Sequence, residues 1–113
     1  MKNAIEKFAE NNVEVHVTEL AVRNYDNDAE PEHAAFYKKL VQTYVDINKA
    51  AQAAGKTGPI TSLSIWGLFD APYLSTADYS YKMNGPYCGL FTELYAVKDS
   101  FKNVYEVLAN KRI

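Results

Sequence analysis

The chain has 113 residues, of which 48% are hydrophobic and 23% charged, with a formal net charge of −2. That length and apolar content suit one small domain with a modest core and exclude disorder by composition. There is no basic tract and no run near the ~20 apolar residues of a membrane span, so neither nucleic acid nor a membrane is an expected partner.

Met1 to Phe8 reads as amphipathic helix, without the apolar stretch of a signal peptide. Residues 2 to about 11 place Ile5 and Phe8 on one helical face, and Asn11–Asn12 stops the helix. A strand from Val13 to Leu20 follows at once. Strict alternation puts Val13, Val15, Val17 and Glu19 on one face and Glu14, His16, Thr18 and Leu20 on the other. Glu19 stands at the strand tip, which in strand–helix repeats faces the ligand. A lone Glu there suits a nucleophile, a base or a metal ligand.

After a polar loop at 23–28, Pro31 suits the first turn of a long helix, with Asp28 or Glu30 as its cap. Phe36, Leu40, Tyr44, Ile47, Ala51 and Ala54 form its apolar stripe, and Gly55 ends it. The second strand is expected from Ile60 to Phe69. Leu63, Ile65, Gly67 and Phe69 share one face; Ser62, Ser64, Trp66 and Leu68 share the other. Small serines beneath a Trp fit a tapering barrel interior. A long loop runs from Asp70 to about Val97. A last helix starts near Asp99 or Ser100 and is expected to bury Phe101, Val104, Tyr105 and Leu108.

Two strands joined through a long helix must be parallel neighbours. Two parallel strands do not make a stable sheet by themselves, so the chain reads as a piece of a larger α/β barrel or sheet.

Four blocks carry a resemblance. Val15 to Leu20 looks like a strand ending in Thr-Glu-Leu, Ser64 to Asp70 like a Trp-Gly-x-x-Asp strand, Gly89-Leu-Phe91 like a Leu-Leu-Phe segment, and Lys98-Asp-Ser-Phe101 like a Lys-Pro-Ala-Tyr helix start. In this order they resemble the C-terminal part of glycoside hydrolase family 10, the retaining endo-1,4-β-xylanases. The resemblance implies an α/β fold: the C-terminal segment, with the last two parallel strands and three helices, of a TIM (β/α)8 barrel. Residues 1–113 would be a partial catalytic domain. A full barrel takes ~250 residues.

By the same resemblance, Glu19 is the catalytic nucleophile, Trp66 packs against the sugar in the cleft, and Tyr73 stands beside the place of a second cleft Trp. The implied partner is xylan or xylo-oligosaccharide and the implied location extracellular or cell-surface. No cofactor and no metal are implied. The sequence departs from the family pattern at Ala21 and Thr92, where the family has Asp, and at Leu74, where it has Trp. Nothing matches the Asn-Glu motif that holds the family's acid/base carboxylate. The chain by itself is therefore expected to be catalytically silent.

Plainer readings stand beside these. Glu19 could pair with Arg23, and Trp66 could serve core packing. His16 is expected as a polar interior residue and His33 as a solvated one. Cys88 is expected to be structural. Tyr73, Tyr79, Tyr81 and Tyr87 suit either a sugar-stacking rim or loop packing. No His or Cys stands at metal-ligand spacing from another. The alternatives are a non-catalytic carbohydrate-binding or structural fragment, or an unrelated small α/β binding domain. Exposed strand edges predict either self-association or completion by the N-terminal part of the barrel.

Overall fold

The computed structural model describes residues 1–73 and 84–111. Its elements are α1 (Lys2–Glu10), β1 (Val15–Leu20), a 3-10 turn (Asn27–Ala29), α2 (Glu30–Ala53), β2 (Ile60–Ile65) and α3 (Asp99–Lys111). Leu74, Tyr79 and Tyr81 lie outside the described residues.

Helix α1 ends where the asparagines predict. Asn11 Nδ2 donates to the Lys7 carbonyl at 2.8 Å, and Asn12 adopts a φ of 58°, a left-handed conformation that Asn tolerates. The Val13 N–H returns to the Phe8 carbonyl at 2.9 Å. That bond withdraws Val13 from the sheet, so β1 starts at Val15 and not at Val13.

Neither Asp28 nor Glu30 caps α2. Instead Asp26 accepts the Asp28 N–H at 2.9 Å and opens the 3-10 turn that feeds the helix. The buried face of α2 is His33, Ala34, Tyr37, Val41, Tyr44, Val45 and Ile47, while Phe36 is half exposed. The apolar stripe therefore starts one residue off the expected track, because α2 faces α3 as well as the strands: Asn103 Nδ2 donates to the Ala34 carbonyl at 3.0 Å. Gly55, at φ 77°, follows the last turn as expected.

Strands β1 and β2 pair in parallel. Asn48 of α2 fixes the start of β2, donating to the Ile60 carbonyl at 2.7 Å and accepting the Ile60 N–H at 3.0 Å. Val15, Val17, Leu63 and Ile65 pack against the core of Tyr37, Val41, Leu90, Val104 and Val107. His16, Thr18, Ser62 and Ser64 lie on the opposite, open face. β2 ends at Ile65, short of Phe69, because Gly67 turns the chain with a φ of 73°; Phe69 then meets Phe91 through an isolated bridge and a ring contact with centroids 5.6 Å apart. In α3 the buried residues include Val104 and Val107, whereas Tyr105 and Leu108 are exposed.

Tyr37 is wholly buried and its hydroxyl makes no hydrogen bond. Burial pushes its ionisation up to about 12, against a partial downward pull from the Val22 backbone. The folded state thus holds this proton more tightly than the unfolded chain does, and stability falls as pH rises from ~10 toward 12. Tyr37→Phe is expected to be neutral, or more stable by up to about 1 kcal/mol, at pH 7. It should also remove about 2 kcal/mol of the alkaline loss in urea titrations. Equal alkaline losses in the two proteins would contradict this account.

Both outer edges of the described strand pair lack a neighbouring strand. Sedimentation of the isolated chain is expected to show self-association; a compact monomer would count against it.

Candidate active site

Strand β1 does not keep strict alternation. Val17 pairs with Leu63 and Leu20 with Ile65, so β1 carries one residue more than β2 between these pairings. An extra residue in one strand swaps the faces beyond it. Leu20 is accordingly buried and Glu19 exposed, the reverse of the alternation read from sequence. The irregularity turns the Glu19 carboxylate away from the core, onto the side of Thr18.

Trp66 stands just past the end of the neighbouring strand. Its backbone N–H donates to the Leu20 carbonyl at 2.9 Å, and the residue is 44% exposed. The carboxylate-bearing and indole-bearing residues therefore sit at the carboxyl ends of adjacent parallel strands. Tyr73 is strongly exposed. Among the described residues Glu19 and Arg23 form no ion pair.

His16 lies exposed on the open face at the other end of β1. It contacts Glu14 at 2.9 Å, and Glu14 also accepts from Thr61 at 2.5 Å. The Thr61 hydrogen bond and the His16 contact hold the Glu14 carboxyl below the usual carboxylate range. Among the described residues no three His, Cys, Asp or Glu side chains gather into a metal site.

The backbone behind Trp66 is clamped. Gly89 lets residues 88–91 run alongside residues 68–70, because a Cβ there would lie 2.5 Å from both Asp70 N and the Phe69 carbonyl carbon. Asp70 N–H donates to the Phe91 carbonyl at 2.8 Å, and Leu90 N–H to that of Leu68 at 2.8 Å. Cys88 is buried under Gly67, with its Sγ 3.2 Å from where a Gly67 Cβ would stand. Burial and the nearby Asp70 charge push its thiol upward, away from thiolate reactivity.

Beneath this clamp lies a buried polar cluster. Lys98 Nζ lies 2.9 Å from Asp70 Oδ1, 2.9 Å from the Tyr87 carbonyl, 2.9 Å from the Gly89 carbonyl and 3.1 Å from Glu30 Oε2. An ammonium has three N–H donors, so one of these four oxygens is held by charge alone. Asp70 Oδ1 also accepts the Gly89 N–H at 2.9 Å. Burial drives the Asp70 carboxyl upward, while Lys98 and the Gly89 N–H draw it back. Glu30 Oε1 accepts the Ser100 N–H at 3.1 Å.

His33 belongs to the same cluster and is 3% exposed, not solvated as its sequence position predicts. Its Nδ1 faces Glu30 Oε2 at 3.1 Å. Its Nε2 lies 3.0 Å from the Val22 carbonyl, which can only accept. The role of this cluster escapes a linear reading. The available signal was that Asp70 and Lys98 each fall inside a family-like block.

A parallel strand pair joined through a long helix and backed by helices defines the class as a segment of an α/β fold, with a carboxylate and an indole at adjacent carboxyl ends. The glycosyl hydrolase family 10 model matches residues 1–107. Endo-1,4-beta-xylanase B of Butyrivibrio fibrisolvens is 34% identical over 71 residues, covering 61% of this chain and 10% of that protein. Native xylanase 10B from Thermotoga maritima superposes with a TM-score of 0.72 at 20% identity, over 97% of this chain and 31% of that one. Xylanase 10B from Thermotoga petrophila RKU-1, in complex with xylobiose, gives 0.70 at 21% identity with 97% and 31% covered. The chain belongs to glycosyl hydrolase family 10 and folds as a segment of that family's TIM barrel.

The close approach at Gly89 has a measurable consequence. Gly89→Ala forces a methyl group against backbone atoms that cannot swing aside. It is expected to cost about 1–3 kcal/mol or more in urea denaturation. A change below about 0.5 kcal/mol would contradict the packing described.

Proposed function

We propose that this chain supplies the nucleophile half of a retaining endo-1,4-β-xylanase active site, acting on internal β-1,4-xylosidic bonds of xylan. The observation that carries the reading is the exposure of Glu19 at a strand tip beside Trp66, within a chain whose family match runs over residues 1–107.

In this reaction a Glu19 carboxylate oxygen bonds to the anomeric carbon while the glycosidic C–O bond breaks. A second carboxyl group gives its proton to the leaving oxygen. Water, deprotonated by that same group, then attacks the anomeric carbon and releases Glu19. A retaining pair requires the two carboxyl groups ~5–5.5 Å apart on opposite sides of the sugar. The second group is absent from the sequence pattern of this chain, so it comes from the remainder of the barrel, and residues 1–113 alone are silent. Trp66 presents a flat apolar face to sugar C–H groups, and Tyr73 widens that platform. A polymer too large to enter a cell places the enzyme outside it or at its surface. Among the described residues no helix is long and apolar enough to cross a membrane.

The exposed indole also favours a second reading, in which the chain binds xylo-oligosaccharide without chemistry. The two separate in one assay. Mixed with the N-terminal two thirds of a family 10 barrel, the chain is expected to hydrolyse xylan. Glu19→Gln in the mixture should lose at least about a thousandfold in kcat. Trp66→Ala should lose about tenfold or more in kcat/KM, as expected for a lost stacking platform. Full activity in the Glu19→Gln mixture would remove the nucleophile assignment. Xylobiose binding by the isolated chain, with no activity in any mixture, would favour the binding reading.

A further inference from the structure

The buried cluster reaches both ends of the candidate site. On the β2 side, Lys98 Nζ binds Asp70 Oδ1 together with the Tyr87 and Gly89 carbonyls. Asp70 closes the segment that starts at Trp66, and Gly89 lies against that segment. On the β1 side, two separate connections leave the same ammonium. One passes through Glu30 Oε2 to His33 Nδ1 and from His33 Nε2 to the Val22 carbonyl, in the segment that follows Glu19. The other passes through Tyr87, whose N–H donates to the Asn24 carbonyl at 3.1 Å.

We infer that Lys98, acting through Asp70 and Glu30, is a positioning residue that sets where Trp66 stands relative to Glu19. None of these groups points into the open face, so none is a catalytic residue. They fix the backbone that follows each strand. A single cation touching the supports of both strand ends couples them: displacing Asp70 from Lys98 releases the Trp66 segment while β1 stays anchored through Glu30 and His33. Ordinary core packing gives no such one-sided response. The inference rests on reading Glu19 and Trp66 as the site, but its test uses no sugar and no activity, so either can fail without the other.

The chain holds one tryptophan, so one indole N–H resonance and one emission band report on Trp66 alone. Asp70→Asn keeps the size of the side chain and its acceptor for the Gly89 N–H while removing the charge that faces Lys98. In this variant, folded by far-UV circular dichroism, the indole resonance is expected to shift or split. Acrylamide quenching of the emission should rise about twofold. Val107→Ala, which weakens the core on α3 away from the cluster, should leave both signals at their wild-type values under conditions where it remains folded. Lys98→Met is the second variant and should move the same two signals in the same direction. If Asp70→Asn does not fold, Lys98→Met decides, and if neither folds, Lys98→Gln, which removes the charge but keeps a hydrogen-bond donor on the side chain, decides by the same readings. Unchanged indole signals in a folded cluster variant would overturn the positioning role. Equal changes in Val107→Ala would do so as well.

Discussion

The fold turns on one ammonium placed where water cannot follow. Burying a lysine is strongly unfavourable unless oxygens replace its hydration, and Lys98 finds four of them, two carboxylate and two carbonyl. The oxygens come from three stretches of chain: the end of the Trp66 segment, two points of the segment that returns beside it, and the first turn of α2. A cation with this coordination is a weak source of net stability, because its own desolvation nearly cancels the attraction. Its effect is on arrangement. Any packing of these segments that moves one oxygen away leaves a buried charge short of partners. Alternatives are therefore excluded more strongly than the native state is favoured.

The surroundings of Glu19 and of the cluster differ in the way that their roles require. Asp70, Lys98 and His33 are buried and Glu30 mostly so, each with partners inside the cluster, which suits groups that hold a shape. Glu19 is exposed and has no ion pair among the described residues, which suits a carboxylate reserved for a ligand. Trp66 lies between these conditions, its backbone fixed to Leu20 and its ring half in water. Under the proposed reaction, rigidity in the support and freedom at the reacting group are complementary: orientation is set before the sugar arrives.

Much of the architecture was legible from the sequence because it follows from local periodicity and one topological rule. The stops at Asn11–Asn12 and Gly55, the helix opened by Pro31 and the parallel pairing of two strands across it all needed only nearby residues. What was not legible depends on partners distant in the chain. His33 occupies a helix position that reads as solvated, and only the arrival of Lys98 and Ser100 beside Glu30 encloses it. Strand ends were misplaced at Val13 and Phe69 because a carbonyl of α1 and a left-handed glycine compete with the sheet for the backbone. Within the site, the residue types at Glu19 and Trp66 were visible, but the side chain direction of Glu19 was not. Alternation put it on the face of Val15 and Val17, and only pairing with β2 reveals the additional residue.

That additional residue makes β1 sensitive to its length as well as its letters. Replacing Thr18 with another polar side chain leaves the count intact and Glu19 still faces outward. Removing Thr18 restores plain alternation against β2 and leaves the carboxylate outward, but without the local bend that the additional residue imposes where Glu19 stands. In an evolving lineage, this strand would tolerate many substitutions while rejecting single-codon deletions. Such a pattern of insertion and deletion tolerance would mark the segment even where its residue identities had drifted.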